Sequence, residues 1–421
     1  MTTYALVDCN AFYCSCERDS QPALKRVPVV VLSNNDGCVI ARSADAKELG
    51  IPMGAPYYQV RDQLASLGIA VRSSNYVLYA DMSHRVMSVL ASMVPTIEVY
   101  SIDEAFCDLT GIQEDLTEFG TAIRQRLLQW VGIPVGVGIG STKTLAKLAN
   151  WAAKKWPATG GVVDLRDPLR QQRLLKLAPA TTVWGVGRRL GVRLAAMNIH
   201  TAWDLAQCDP AILRMTFGVT VERTGRELNG QSCLDMHQAP PAKKAICTSK
   251  MFGYRLSELE PIREAMATYV TRAAEKLRSQ ASLCGGLQVS LQTQRHDPGQ
   301  PIVADAESCI LAYPTDDTRD LIARALSALE RIFKPGVAYS KCAVMLFDLS
   351  QRGELTSDLF APAVRDGSDR LMGVIDRINK REGAGTLRFA RVPVTPKWGM
   401  RSEMRSRCYT TRWDELIQIG S

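Results

Sequence analysis

The 421-residue sequence is poor in several features that would direct a reading. It has only four histidines, none in a His-x-x-x-His arrangement. Its twelve cysteines are scattered without a single Cys-x-x-Cys, and Cys14-Ser15-Cys16 is their tightest grouping. That spacing argues against a zinc site or a disulfide framework and for reduced, buried thiols. No apolar run approaches the ~20 residues that cross a bilayer. Val27–Leu32, one of the longest, contains a proline, and Met1–Asn10 lacks the basic stretch that opens a signal peptide. A cytoplasmic protein with no membrane contact is therefore expected. No internal repeat is visible. What remains is ordinary for a folding chain, 46% hydrophobic and 22% charged. At roughly 150 residues per domain, its length predicts two to four domains.

Charge is unevenly placed. Of the net +8, residues 241–421 hold most, with 27 Lys/Arg against 21 Asp/Glu. Between Arg377 and Arg412 there are ten basic residues and only two acids, Glu382 and Glu403. Such a tail can bind a polyanion with salt-dependent affinity, or equally form a solvated face or a dock for an acidic protein.

Tyr4–Asp8 reads as a short buried strand ending in an acid, with Asn10-Ala11-Phe12-Tyr13 turning into a helix. Val27–Leu32 and Cys38–Ala41 are joined by Ser33-Asn34-Asn35-Asp36-Gly37, the composition of a hairpin reversal. Helices are expected over 43–49, 79–93, 119–130 and 144–156, and strands over 98–109, 135–139 and 161–165. Strand and helix thus alternate to residue 165, which is an α/β layer. Short helices take over from 168 to 235. Ala239–Lys244 has linker composition. A second, α+β unit follows, with helices at 261–279 and 318–333 and strands near 285–293 and 341–348. The tail from about 350 is the least regular part.

Three constellations carry chemistry. Asp8 ends one strand, and Asp103-Glu104 sit on another. Transfer reactions that use two divalent ions need carboxylates from separate strands. Neighbours on a regular strand face opposite ways, however, so Asp103 and Glu104 converge only at a bend. On the residues alone, exposed acids at strand ends remain the alternative. Second, Lys143, Lys147 and Lys154 fall on one face of a helix that follows Gly136, Gly138 and Gly140, which is either a phosphate-binding stripe or a solvated face. A P-loop would need glycine where Val137 and Thr142 stand. A dinucleotide fingerprint, with Asp164 as its distal acid, has its third glycine one place early. Third, Trp184-Gly185-Val186-Gly187-Arg188-Arg189 opens a helix that is followed by another from Thr201. This is a helix-hairpin-helix pattern, whose glycines free backbone N–H groups for a phosphate, or else a tight interhelical turn.

Taken in order, Asp8–Tyr13, Ser33–Arg42, Tyr76–Ser83, Ser101–Phe106, Gly138–Lys147 and Cys408–Arg412 resemble the motifs of the Y-family translesion DNA polymerases, in their UmuC-type branch. The resemblance spans essentially the whole chain. It implies a multidomain α/β and α+β right-hand fold: palm over 1–25 and 80–167, fingers 26–79, helical thumb 168–238, little finger 239–350, and a partner-binding tail 351–421. It implies error-prone, template-directed nucleotidyl transfer in the SOS response to DNA damage. Asp8, Asp103 and Glu104 would ligate two Mg²⁺, with a carbonyl from Phe12. Tyr13 would be the steric gate against a ribose 2′-OH. Lys154 and Lys47 would bind the triphosphate, although members often carry Tyr and Arg where this chain has Ala44 and Lys47. Cys38 and Ile40 would roof the nascent base pair. Gly185, Gly187, Arg188 and Arg189 would hold DNA phosphates. The implied partners are primer-template DNA and dNTPs, a processed UmuD-type dimer, a RecA filament and the sliding clamp. The clamp would be met by Leu359 and Phe360, the remnant of a longer peptide motif. Two other readings stay open on the residues: a nicotinamide-dependent oxidoreductase built on Gly136–Asp164, and a non-enzymatic DNA-binding protein using the 185–189 turn and the basic tail.

Overall fold

The computed structural model describes residues 2–236, 242–294, 302–354, 365 and 367–416. The chain divides into two units, one reaching residue 240 and resuming at 403, the other running from 241 to 402.

In chain order the first unit holds β1 (Tyr4–Cys9), α1 (Phe12–Ser20), β2 (Val29–Leu32), β3 (Val39–Arg42), α2 (Ala44–Glu48), α3 (Tyr57–Ser66), β4 (Ala70–Ser73), α4 (Tyr76–Met93), β5 (Ile97–Val99) and β6 (Glu104–Asp108). Next come α5 (Leu116–Val131), β7 (Val135–Gly140), α6 (Lys143–Lys155) and β8 (Val162–Asp164), and then the short helices α7 (Pro168–Leu177), α8 (Arg188–Ala195), α9 (Ala202–Gln207), α10 (Pro210–Phe217) and α11 (Val219–Leu228). Five strands form a central sheet in the order β5-β6-β1-β7-β8. β1 lies at its middle, antiparallel to both β6 and β7, which is why Ala5 and Val7 are buried. A separate small sheet, β3-β2-β4, contains the expected hairpin; Asn35 and Asp36 take positive φ at its reversal, a conformation that Asn and Asp tolerate.

β7 is glycine-rich because α6 lies directly against it. A Cβ on Gly138 would sit 2.1 Å from the Asn150 backbone nitrogen and 2.3 Å from the Ala146 carbonyl oxygen. These glycines therefore serve helix–sheet packing. Asp164, the acid a dinucleotide site would use, is held by the Arg166 guanidinium at 2.7 Å. Gly138→Ala should destabilise the first unit by about 3 kcal/mol, the upper end of overpacking penalties, because both obstructing atoms are backbone. A denaturant melt of the variant checks this.

The start of α6 is pinned from the helical region. Glu227, fully buried on α11, accepts hydrogen bonds from the Thr144 amide at 3.0 Å and the Thr144 hydroxyl at 2.8 Å. Leu145, Leu148 and Ala149 of α6 share a core with Leu174, Leu194, Leu205 and Leu213 of the short helices.

The second unit comprises β9 (Ile246–Leu256), α12 (Leu259–Ser279), β10 (Ser282–Gln292), β11 (Ala304–Thr315), α13 (Thr318–Ile332), β12 (Tyr339–Gln351) and α14 (Ser368–Glu382). Its antiparallel sheet, ordered β11-β10-β12-β9, packs its buried face on α12 and α13. The two edge strands, β9 and β11, were not expected from the sequence. β9 is interrupted by Thr248-Ser249-Lys250 and buried only at Ile246, Thr248, Phe252 and Leu256, and β11 opens on alternating Ala304-Asp305-Ala306-Glu307 with no buried residue, so neither begins on an apolar run of strand length. The irregular tail is also divided by the fold: α14 belongs to the second unit, and residues from 403 onward belong to the first. Among the described residues no helix is long and apolar enough to cross a membrane.

Candidate active site

The β1–β6 register sets Asp8 directly opposite Glu104. Asp103 lies in the turn just before β6, and its carbonyl accepts from the Cys9 amide at 2.8 Å. The bend resolves the difficulty of two adjacent acids on alternating faces: Asp103 is not yet in the strand when Glu104 begins it. Its carboxylate accepts from the Ser101 hydroxyl at 2.6 Å.

All three lysines of the α6 stripe face carboxylates rather than water. Lys154 Nζ lies 2.5 Å from Asp8 Oδ1, Lys147 Nζ 3.1 Å from Glu104 Oε1, and Lys143 Nζ 2.6 Å from Glu98 Oε2. Lys143 is almost entirely buried. The solvated-face alternative for this stripe is thereby corrected: the helix is pressed onto the sheet, and its ammonium groups neutralise the acids beneath.

Those lysines do not fully compensate. Burial raises the Asp8 carboxyl above the usual carboxylate range; Lys154 pulls it down and Asp103 pushes it further up. Glu104 is raised for the same reason, burial first, with Lys147 opposing and Asp8 and Asp103 adding to the rise. The cluster thus holds more negative charge than its surroundings stabilise. Among the described residues no three His, Cys, Asp or Glu side chains stand close enough together to ligate one ion. The donors are nevertheless hard oxygens on adjoining backbone positions, the chemistry that magnesium prefers. The raised carboxyls mark a place where added positive charge is favoured.

A cavity of about 330 Å³ opens beside them, lined by Asp8, Phe12, Tyr13, Ile40, Asp103 and Lys154. A second, of about 690 Å³, shares Ala11, Arg42, Met53 and Lys154 with it and adds Lys47. One end is thus flanked by an aromatic ring and an aliphatic side chain, the other by cations. Phe12 is buried, whereas Lys47 is exposed. Cys38 does not line either cavity; its amide donates to Ser33 Oγ at 3.0 Å.

Family models match the chain at three places: the impB/mucB/samB family over residues 7–151, its C-terminal domain over 243–359, and a domain of unknown function over 369–419. Protein UmuC of Salmonella typhimurium is 48% identical over 420 residues, 99% of this chain and 100% of that protein. The chain belongs to the UmuC branch of the Y-family DNA polymerases.

Protein ImpB of Salmonella typhimurium is 45% identical, covering 98% of each chain, and DNA polymerase IV of Moorella thermoacetica is 28% identical, covering 90% of this chain and 93% of that one. A Y-family polymerase chimera of Dbh and Dpo4 superposes with a TM-score of 0.66 at 21% identity, over 83% of this chain and 99% of the other. DinB from Sulfolobus solfataricus gives 0.52 at 21%, over 82% and 98%. The Y-family polymerase fold is thereby established, and with family membership the chain is a DNA-directed DNA polymerase of translesion synthesis.

In this polymerase the Gly185–Arg189 turn is open. Gly185 has φ +87, no atom lies within 4 Å of where a Cβ would stand on Gly185 or Gly187, and Arg188 and Arg189, at the start of α8, are exposed. Leu359 and Phe360 lie outside the described residues. The sequence reading missed the specific role of Lys147. It pairs with Glu104 while its ammonium lies 4.1 Å from the centre of the Tyr100 ring and 5.1 Å from that of Trp184, whose indole donates to the Tyr100 hydroxyl. No local signal marks this, because the partners are more than thirty residues apart. Helical periodicity does give the shared face of the three lysines, and that much was available.

Proposed function

We propose that the polymerase holds two Mg²⁺ on Asp8, Asp103 and Glu104, with a backbone carbonyl from Phe12, and transfers a nucleotidyl group from a dNTP to a primer 3′-OH. Ions bound there would neutralise the triphosphate and lower the pKa of the attacking hydroxyl. The observation that carries this is that Asp8 and Asp103 line a cavity that also contains Tyr13, with Glu104 paired opposite Asp8 in register. Lys154 would exchange Asp8 for triphosphate oxygens, with Lys47 at the outer end. Tyr13 would exclude a ribose 2′-OH. Cys38 and Ile40 would roof the base pair. Gly185, Gly187, Arg188 and Arg189 would hold duplex phosphates without reading sequence.

The same reading divides the chain into palm (1–25 and 80–167), fingers (26–79), thumb (168–238), little finger (239–350) and tail (351–421). It places the enzyme in the SOS response, in the cytoplasm, with a processed UmuD-type dimer, a RecA filament and the sliding clamp as partners, the clamp through Leu359 and Phe360. Single-nucleotide insertion of dCTP and CTP opposite template G tests the site. Tyr13→Ala should reduce the preference for dCTP by roughly ten- to hundredfold, the cost of a removed steric overlap. An unchanged preference would show that the cavity beside Tyr13 does not take the sugar.

A further inference from the structure

Tyr13 does not stand alone. Its ring is stacked on Tyr79, centroids 4.5 Å apart and planes 16° from parallel, with Tyr76 edge-on at 6.1 Å. Tyr79 is fully buried, and its hydroxyl donates to Glu17 Oε1 at 2.7 Å. Glu17, also fully buried, accepts on the same oxygen from the Ser406 hydroxyl at 3.0 Å. Gln21 Nε2 lies 3.3 Å, and the Arg72 guanidinium 4.0 Å, from its other oxygen. A residue near the C-terminus is thus two hydrogen bonds and one ring stack from the side chain that faces the cavity.

The same segment holds the helix that presents Tyr76 and Tyr79. Asn75 caps α4 through its side-chain oxygen, which accepts from the Leu78 amide. Its side-chain nitrogen donates to the Ser406 carbonyl at 3.0 Å, to Ser406 Oγ at 3.1 Å and to the Arg407 carbonyl at 3.3 Å. Two positions earlier, Met404 holds Ser73, its carbonyl accepting from the Ser73 amide at 3.1 Å and its amide donating to Ser73 Oγ at 3.0 Å. Tyr79 is therefore fixed at both ends, its helix start and its hydroxyl, by residues 404–407.

We propose that residues 404–407 act through Asn75, Glu17 and Tyr79 to position the Tyr13 ring, so that this C-terminal segment sets how strictly the polymerase separates deoxyribonucleotides from ribonucleotides. The proposal rests on the reading of the Tyr13 cavity as the sugar site. It gives a task to part of the matched domain of unknown function. Ser406, Glu17 and Tyr79 are positioning residues in it, since none of them lines the cavity. Glu17 suits the task because a carboxylate can accept two donors on one oxygen, and a buried one is disfavoured unless its donors stay in place.

The test uses the full chain with primer-template and Mg²⁺, and compares kcat/KM for dCTP and CTP in the parent, Ser406→Ala, Tyr79→Phe, Glu17→Ala, Glu17→Gln and Tyr13→Ala. Ser406→Ala and Tyr79→Phe should each reduce the dCTP preference about two- to tenfold, the span of one hydrogen bond. The reduction should come from faster CTP use rather than from slower dCTP use. Glu17→Ala should do the same, and Glu17→Gln, which keeps an acceptor oxygen, should restore the preference. Ser406→Ala is the mildest of these and keeps the result interpretable if Glu17→Ala fails to fold. Equal losses for both nucleotides would mean a purely structural role and overturn the proposal. So would unchanged preference in Ser406→Ala and Tyr79→Phe alongside a relaxed Tyr13→Ala. If Tyr13→Ala itself leaves the preference intact, the sugar-site reading fails, and the proposal with it.

Discussion

Asp8→Asn should lower primer extension by about a thousandfold or more while leaving the fold and DNA binding intact. On the proposed metal site, removing a carboxylate that would hold the ions would forfeit several kcal/mol of charge stabilisation in the transition state, and each ~1.4 kcal/mol is tenfold in rate. Folding should not suffer, and the sign can be worked out. The folded-state pKa of Asp8 is raised, with burial outweighing Lys154, so the native chain binds this proton more readily than the unfolded one. Its contribution to stability is then present below about pH 3.8 and is lost as pH rises through the raised value. At neutral pH the charged side chain is disfavoured in the fold, and a neutral amide of the same shape relieves that. The thermal midpoint of Asp8→Asn at pH 7 should therefore be no lower than the parent's. A midpoint several degrees lower would mean that the Lys154–Asp8 pair holds the sheet and helix together, and lost activity could then not be ascribed to the site.

Lys154→Ala should act in two separable ways. A charge-assisted contact to phosphate contributes about 1.5–3 kcal/mol, so KM for the incoming dNTP should rise roughly ten- to hundredfold. Lys154 is also the strongest influence holding the Asp8 carboxyl down, with Lys147 a lesser one. In the metal-free chain, the Asp8 titration followed by carboxyl NMR should therefore move further up. Lys154→Arg keeps the charge and should leave the titration close to the parent's, while still raising KM because a planar guanidinium replaces a compact ammonium. A KM that does not change in Lys154→Ala would assign this lysine to the sheet rather than to the substrate.

Local pattern made much of the first unit legible. Tyr4–Asp8 reads as a buried strand because its side chains are covered on both faces, and the hairpin around Asn34–Gly37 announces itself by turn residues. Periodicity shows that Lys143, Lys147 and Lys154 share a face, but it cannot say what the face meets. Each ammonium finds its carboxylate on the sheet, at separations such as Lys154 to Asp8 that only the fold creates. The relation of Asp103 to Glu104 was left open by pattern for a different reason: it depends on one residue lying in a turn and the next in a strand. In the second unit, β9 and β11 escaped because polar residues interrupt them early, Thr248-Ser249-Lys250 in one and Asp305, Glu307 and Ser308 in the other. The return of Met404–Arg407 to Ser73, Asn75 and Glu17 bridges more than 330 positions and leaves no mark in either segment.

The most direct test of the whole account is primer extension by the purified full chain on intact and abasic templates with Mg²⁺, with and without a UmuD-type dimer and activated RecA, Asp103→Asn being run alongside. Template-directed extension that requires Mg²⁺, crosses the abasic site and disappears in Asp103→Asn is the predicted result. Extension that persists in Asp103→Asn, or no extension under any of these conditions by a chain that still binds DNA, would contradict the assignment of Asp8, Asp103 and Glu104 as the metal site of a polymerase.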